Sequence, residues 1–393
     1  MKVLLVHNTY QQPGGEDIVF EQEAQMLKNA GHQVVLYKRS NWEVQQSRGL
    51  RKIGLAGNTL WSSEARRDVQ RLLSEEKPEV VHVHNTFMMI SPSIYSACYD
   101  AKVPVVQTLH NYRLLCPAAT LFRKGKVCEE CLGGSLWPSV KYGCYHDERS
   151  TTAVVATMLM AHRLRGTYDR EVTAFVALTE FSRNKFIEGG LPGEKIFVKP
   201  NFVNPDPCAR TGVGDYALFV GRLSPEKRVS TVLAAWKLVP QSIPIKVIGG
   251  GPDKEPLEAQ AAKEGLTNVQ FCGQLPRAQT LAAINNARFL VFSSEWYENF
   301  PVTIAEAFAC RTPVIASQMG AMQEIVSDGR TGLFFAPGDA NDLARKVEWA
   351  WTHSEEMGVM GNEARHEYEA KYSAEKNYPM LKEIYDHAIS NVK

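Results

Sequence analysis

The chain has 393 residues, 44% hydrophobic and 22% charged, an ordinary globular composition with room for two or three domains of about 150 residues. Lys plus Arg number 44 against 43 Asp plus Glu, a net charge of +1, which excludes a bulk electrostatic preference for nucleic acid. Apolar stretches such as Ala153–Met158 fall far short of the roughly 20 residues of a spanning helix, which excludes an integral helical membrane protein. Met1-Lys2-Val3-Leu4-Leu5-Val6 turns polar at His7-Asn8, too soon for a secretion signal, so the expectation is a cytoplasmic protein. Its eight cysteines are then reduced thiols or metal ligands rather than a disulfide framework.

Short β-branched runs alternate with amphipathic stretches of helical length, the pattern of an α/β fold with parallel sheets. Lys2–Val6 reads as a strand, and a helix follows from about Glu16 to Ala30 with Val19, Phe20, Ala24 and Leu27 on one face. Gln33–Tyr37, Val80–Val83 and Val103–Leu109 read as further strands, the last two ending in His84-Asn85 and His110-Asn111. Phe175–Leu178 and Ile196–Val198 follow, with a helix between them. The densest Pro/Gly/Asn region, 201–214, reads as a linker between an N-terminal domain (1–200) and a second alternating series (215–373). In that series the strands are Tyr216–Val220, Ile243–Ile248, Asn268–Phe271, Phe289–Phe292 and Thr312–Ala316, with helices near Glu226–Leu238 and Ala278–Ala287 and from Pro301. Two Rossmann-like domains facing across a cleft are expected, with ligands beyond the carboxyl ends of the strands.

The loops after those strands hold the candidate chemistry. Gly14-Gly15 precedes a helix opening with Glu16-Asp17, where backbone can approach an anion; the pattern is not the Gly-x-Gly-x-x-Gly dinucleotide fingerprint. Gly221-Arg222-Leu223-Ser224-Pro225-Glu226-Lys227-Arg228 sets cations at a strand end, suited to a diphosphate and unfavourable at a helix start. Gly249-Gly250-Gly251-Pro252 permits close backbone packing. Between Ser293 and Glu306, the spacing predicts Glu298 on a loop, Pro301 in the first turn of a helix and Glu306 inside it. Each carboxylate can accept from sugar hydroxyls, although acidic residues near a helix start are also a common stabilising choice.

In order and spacing, Gly221-Arg222…Lys227, Gly249-Gly250-Gly251-Pro252 and Glu298-x7-Glu306 resemble the retaining glycosyltransferase family that includes sucrose synthase and the bacterial phosphatidylinositol mannosyltransferases. The resemblance covers almost the whole chain and implies the GT-B fold, with a C-terminal helix at about 374–390 crossing back to the N-terminal domain. It implies that Arg222 and Lys227 clamp the donor diphosphate in place of a catalytic metal. Glu306 would hold the ribose and Phe271-Cys272 flank the base. Glu298 would bind donor-sugar hydroxyls, with Asn299, Phe300 and Pro301 lining the sugar and phosphate. His110 would sit near the anomeric carbon, with Gly14, Gly15, Gly249 and Gly250 beside the donor. Such a site suits retention by front-face attack, with charge on the leaving diphosphate stabilised by fixed cations; double displacement through Glu298 is the alternative chemistry.

Cys116, Cys128, Cys131 and Cys144 form a Cys-x11-Cys-x2-Cys-x12-Cys series in an insert at about 112–148, suited to a closed structural zinc site, with His146 as a substitute ligand. A reversible disulfide or buried thiols are the alternatives. Cys98, Cys208, Cys272 and Cys310 read as small apolar residues, and His7, His82 and His84 as structural histidines, with His84-Asn85 lining the acceptor site as the alternative. Arg48, Arg51, Lys52, Arg66, Arg67 and Arg71, interleaved with Ile53, Leu55, Leu60, Trp61 and Leu72, suit either a peripheral membrane contact or a solvated helix face. The expected activity is sugar transfer from a nucleotide diphosphate donor to a glycan or lipid-linked hydroxyl acceptor in surface polysaccharide assembly, with no nucleic-acid partner. The alternatives are a nucleotide-sugar epimerase and a non-catalytic zinc-stabilised binding module.

Overall fold

The computed structural model describes residues 1–11, 14–42, 51–207, 209–210 and 212–392. Arg48 and Cys208 lie outside the described residues, as do the side chains of Arg51, Lys52, Ile53 and Leu55. One unit comprises Met1–Leu121, Cys128–Asn201 and Asn377–Lys393; the other comprises Phe122–Val127 and Phe202–Lys376.

In the first unit, β1 (Lys2–Thr9) buries Val3–Val6 completely, as a near-continuous apolar run in a parallel sheet should. It pairs on one side with β2 (Gln33–Ser40) and on the other with β3 (Val80–Asn85). β4 (Val105–Thr108) follows β3 in the sheet. The short antiparallel pair β5 (Phe122–Arg123) and β6 (Lys126–Val127) lies inside the Cys-rich segment and groups with the second unit. β7 (Ala174–Ala177) and β8 (Ile196–Val198) complete the first sheet, in the parallel order β2-β1-β3-β4-β7-β8. The order reverses between β1 and β3, so their carboxyl ends flank a topological switch point. Helix Gly15–Asn29 buries Val19, Phe20, Ala24 and Leu27, and also Gln22 and Glu23, so its buried face is wider and more polar than its apolar stripe. The expected strand Val80–Val83 runs two residues further, placing His84 and Asn85 within the sheet instead of on a loop. Helix Ala374–Ser390 buries Leu381, Ile384, Tyr385 and Ala388 at helical spacing.

The second unit carries β9 (Ala217–Val220), β10 (Ile245–Ile248), β11 (Val269–Gly273), β12 (Phe289–Phe292), β13 (Val314–Ser317) and β14 (Gly332–Phe335). Their parallel order is β11-β10-β9-β12-β13-β14, the dinucleotide-fold order with its switch point between β9 and β12. Phe219, Trp236, Val247, Val291, Leu343 and Val347 belong to one continuous core. Trp236 satisfies its indole N–H on the Ile243 carbonyl at 3.0 Å, so its full burial leaves no polar atom stranded. The helix expected near Glu226–Leu238 is shorter, Val229–Trp236. Arg228, at φ +50°, adopts the left-handed conformation and separates that helix from a single turn at Pro225–Lys227. Lys227 and Arg228 therefore stand immediately before the helix, Arg228 at its N-cap, where a cation still faces the positive end of the dipole.

Candidate functional site

The switch point of the second unit gathers most of the predicted residues. The loop after β9 carries Lys227 and the loop after β12 carries Glu298; their ammonium and carboxylate are directly bonded, and both side chains are mostly buried. Ser294 donates to the same Glu298 oxygen at 2.7 Å. The loops are stitched together by Ser293 Oγ donating to the Lys227 carbonyl (2.7 Å) and Glu295 N–H donating to the Glu226 carbonyl (2.9 Å). The Lys227 ammonium also lies 5.4 Å from the Phe292 ring centre and 5.6 Å from that of Trp296. Arg222 stands exposed on the same loop and forms no ion pair among the described residues. Arg228 is instead engaged by Glu295 at 2.8 Å and by the Gly125 carbonyl of the β5–β6 hairpin at 2.6 Å.

Backbone contact explains the glycines. A Cβ at Gly249 would lie 1.8 Å from the Gly221 carbonyl oxygen, and one at Gly251 would lie 2.2 Å from that of Leu223. The loop after β10 is thereby laid directly on the loop after β9, and Leu223 N–H donates to the Gly250 carbonyl at 2.9 Å. Gly250 itself has room for a Cβ, whose nearest neighbour would be the Gln274 side chain at 3.7 Å. Phe271 and Cys272 lie near the end of β11 and are half-buried, with the Cys272 thiol pushed up by burial.

Pro301 caps helix Val302–Ala309 from just outside instead of occupying its first turn. Asn299 and Phe300 are buried before it, and the Phe300 ring packs edge-on against Tyr372, 5.4 Å between centres. Glu306 is buried inside the helix; burial raises its carboxyl, and Arg277, 3.2 Å away, opposes the rise. Ser294 and Arg277 were not singled out from the sequence: a serine after a strand and an arginine opening a helix carry no motif, and only the fold sets them on the two glutamates.

In the first unit, Gly14 caps helix Gly15–Asn29, with its N–H donating to Asp17 at 2.8 Å, and a Cβ there would meet nothing within 4 Å. Gly15 opens the helix and is exposed. Glu16 accepts from Tyr10 at 3.1 Å and Asn111 at 3.3 Å, and burial pushes its carboxyl up to about 8. His110 follows β4, and its Nε2 lies 2.9 Å from His84 Nδ1. Of the four insert cysteines, Cys116 and Cys131 are buried and Cys128 and Cys144 half-buried, and none of the four is in a disulfide. Burial raises the Cys131 thiol, a backbone bond at Ser139 opposes that, and nearby Cys116 and Cys128 add to it. Among the described residues, the potential ligand set with all its atoms within 4.8 Å of one another is Glu23, His82 and His84, not the cysteine quartet. No helix among the described residues is long and apolar enough to cross a membrane.

Residues 13–207 match the family described as Glycosyltransferase Family 4, and residues 212–367 that described as Glycosyl transferases group 1. The chain belongs to these glycosyltransferase families. It is 30% identical over 313 residues to the sulfoquinovosyl transferase SQD2 of Arabidopsis thaliana, covering 76% of this chain and 55% of that one. It is 28% identical over 207 residues to the phosphatidyl-myo-inositol mannosyltransferase of Mycobacterium leprae, covering 50% of this chain and 54% of that one. The chain thus matches about half the length of either curated relative. Anabaena HepE, solved with UDP, superposes over 98% of this chain and 100% of its own with a TM-score of 0.71 at 17% identity. The fold is GT-B, with two Rossmann-like domains.

Proposed function

We propose that this glycosyltransferase moves a sugar from a nucleotide diphosphate donor to a hydroxyl acceptor with retention of anomeric configuration. The observation that carries the reading is the convergence of Lys227, Glu298 and Ser294 on the β9/β12 switch point, with the glycine loop laid beside them. Arg222 and Lys227 meet the diphosphate, Arg222 as an uncommitted fork and Lys227 by exchanging Glu298 for phosphate. Glu298, released from Lys227, accepts from donor-sugar hydroxyls, while Glu306 accepts from the ribose. The base rests against Phe271-Cys272, and the backbone of Asn299, Phe300 and Pro301 lines the sugar and phosphate. Gly14, Gly15 and Gly250 leave room for the donor, Gly249 holds the loop after β10 against Gly221 beside it, and His110 contacts the donor's sugar.

As the bond from anomeric carbon to phosphate lengthens, negative charge accumulates on the diphosphate, where fixed cations stabilise it more than in the ground state. The departing phosphate oxygen then accepts the proton of the acceptor hydroxyl, so neither a protein nucleophile nor a metal ion is required. One relative is named for mannosyl transfer to phosphatidyl-myo-inositol, and a lipid-linked or glycan acceptor in polysaccharide assembly, approached at the cytoplasmic membrane face, fits that company. Cys116, Cys128, Cys131 and Cys144 would draw together onto a structural zinc that orders the insert, from positions in which their thiols do not all lie within 4.8 Å of one another.

Proton NMR of the first anomer released from a nucleotide sugar tests the mechanism. The donor's own anomeric configuration is expected in the initial product; the inverted anomer would overturn front-face retention.

A further inference from the structure

The polar cluster beneath His110 is not consumed by the reading above, and its geometry is specific. Glu23, on helix Gly15–Asn29, is buried with Lys199, which follows β8; their carboxylate and ammonium lie 3.3 Å apart. The same carboxylate lies 2.8 Å from His82 Nδ1 and 3.1 Å from His84 Nε2. His82 Nε2 meets Thr108 Oγ1 at 2.8 Å, and its Nδ1 lies 2.7 Å from the Tyr385 hydroxyl on helix Ala374–Ser390. Lys199 also donates to Asn377 at 2.9 Å. Although Glu23, His82 and His84 have metal-ligand spacing, every imidazole nitrogen among them already faces a protein partner, and the Lys199 ammonium stands where a cation would be repelled.

The cluster instead has a direction. Burial would raise Glu23, but Lys199, His82 and His84 together hold its carboxyl well below the usual range, so it is a carboxylate that only accepts. His84 Nε2 must therefore carry the proton it gives to Glu23. Burial, with His82 beside it, lowers His84 to about 4, so at neutral pH the ring has one proton and its Nδ1 accepts. The partner of that Nδ1 is His110 Nε2, which must then be the donor. Burial and the facing His84, His7 and His82 hold His110 well below its ordinary value despite Glu23, so it too is neutral. His7, on β1, completes the surroundings and is bonded to Asp17 at 2.8 Å.

We propose that Lys199, Glu23 and His84 form a positioning chain that fixes His110 as its Nε2–H tautomer, making Nδ1 an acceptor for a donor-sugar hydroxyl. The chain rests on the glycosyl-transfer reading only for its last member, the sugar hydroxyl. Lys199, Glu23 and His84 are positioning residues, and the other tautomer of His110 would present Nδ1–H as a donor, reversing the bond so that the sugar hydroxyl accepts and its own hydrogen must find another partner.

The test is the nitrogen-15 spectrum of the histidine side chains in the intact protein, with His110 assigned by its loss in His110→Gln. The result expected is His110 protonated at Nε2 and bare at Nδ1, with His84 likewise. His84→Phe, checked for folding by circular dichroism, should abolish the tautomer preference and lower kcat for donor hydrolysis by about tenfold, the worth of one hydrogen bond. His84→Asn, whose carbonyl replaces Nδ1 as acceptor, should restore much of both. A wild-type His110 protonated at Nδ1 would overturn the proposal, as would a preference that survives His84→Phe. Should His84→Phe not fold, the wild-type spectrum and His84→Asn still decide the matter. The predicted tautomer in a protein that turns over no nucleotide sugar would support the chain while sinking the transferase reading.

Discussion

Replacing Lys227 with Met keeps the aliphatic stem against Phe292 and Trp296 and removes only the charged head. Two consequences follow from one bond. Without ligand, Glu298 is left buried with Ser294 as its remaining donor, so the folded state loses a charge-assisted hydrogen bond worth about 1.5–3 kcal/mol. With a nucleoside diphosphate, a bond of the same class to phosphate is lost, but wild type must first give up Glu298 to make it. The net loss of affinity is therefore at the low end, about tenfold, and not the hundredfold an unpaired lysine would lose. Titration calorimetry with UDP, GDP and ADP, alongside thermal melts, reads both. Lys227→Met should melt lower and bind the preferred diphosphate about tenfold more weakly, with a smaller loss for the matching monophosphate. Adding Glu298→Gln should recover the melting temperature but not the affinity. A Lys227→Met protein that melts and binds diphosphates like wild type would refute the reasoning.

Gly249→Ala forces a Cβ to 1.8 Å from the Gly221 carbonyl in a backbone at φ +149°, and should cost about 3 kcal/mol by denaturant unfolding; Gly250→Ala, with room at 3.7 Å, should cost far less. Equal losses at the two positions would contradict the backbone account. Glu16, raised to about 8 from an ordinary 4.5, favours the folded state fully below the unfolded value, a contribution lost as pH rises through the folded one. Glu16→Gln should accordingly raise the melting temperature relative to wild type above pH 8 and change little at pH 5; a pH-independent difference would refute it. For the insert, elemental analysis should find about one zinc per chain, with chelation lowering the melting temperature. Zinc-free protein whose melting is indifferent to chelator would leave Cys116, Cys128, Cys131 and Cys144 as thiols.

The alternation of strands and helices was legible because parallel strands buried on both faces are written as short β-branched runs; Ile196–Val198 and Phe289–Phe292 are found where the residues place them. β14 was missed because Gly332-Leu333-Phe334-Phe335 is brief and opens with glycine, which is required because a Cβ there would lie 2.0 Å from the Val314 carbonyl. Helix Arg149–Arg165 was missed because its apolar residues, around Ala153–Met158, do not keep to one stripe. In the candidate site, Lys227, Glu298 and Glu306 announce themselves by spacing. Arg277 and Ser294 do not, since their meaning comes from strands distant in sequence. The same holds for Glu23 and Lys199, separated by 176 residues: each reads as an ordinary surface charge until the fold buries them together.

The most direct test of the central claim is nucleotide release from a panel of UDP-, GDP- and ADP-sugars by the purified protein without added metal, beside Glu298→Ala. Selective binding and turnover of one donor class, lost in turnover but kept in nucleotide binding by Glu298→Ala, is the predicted result. A folded protein that binds and cleaves none of these donors would contradict the account.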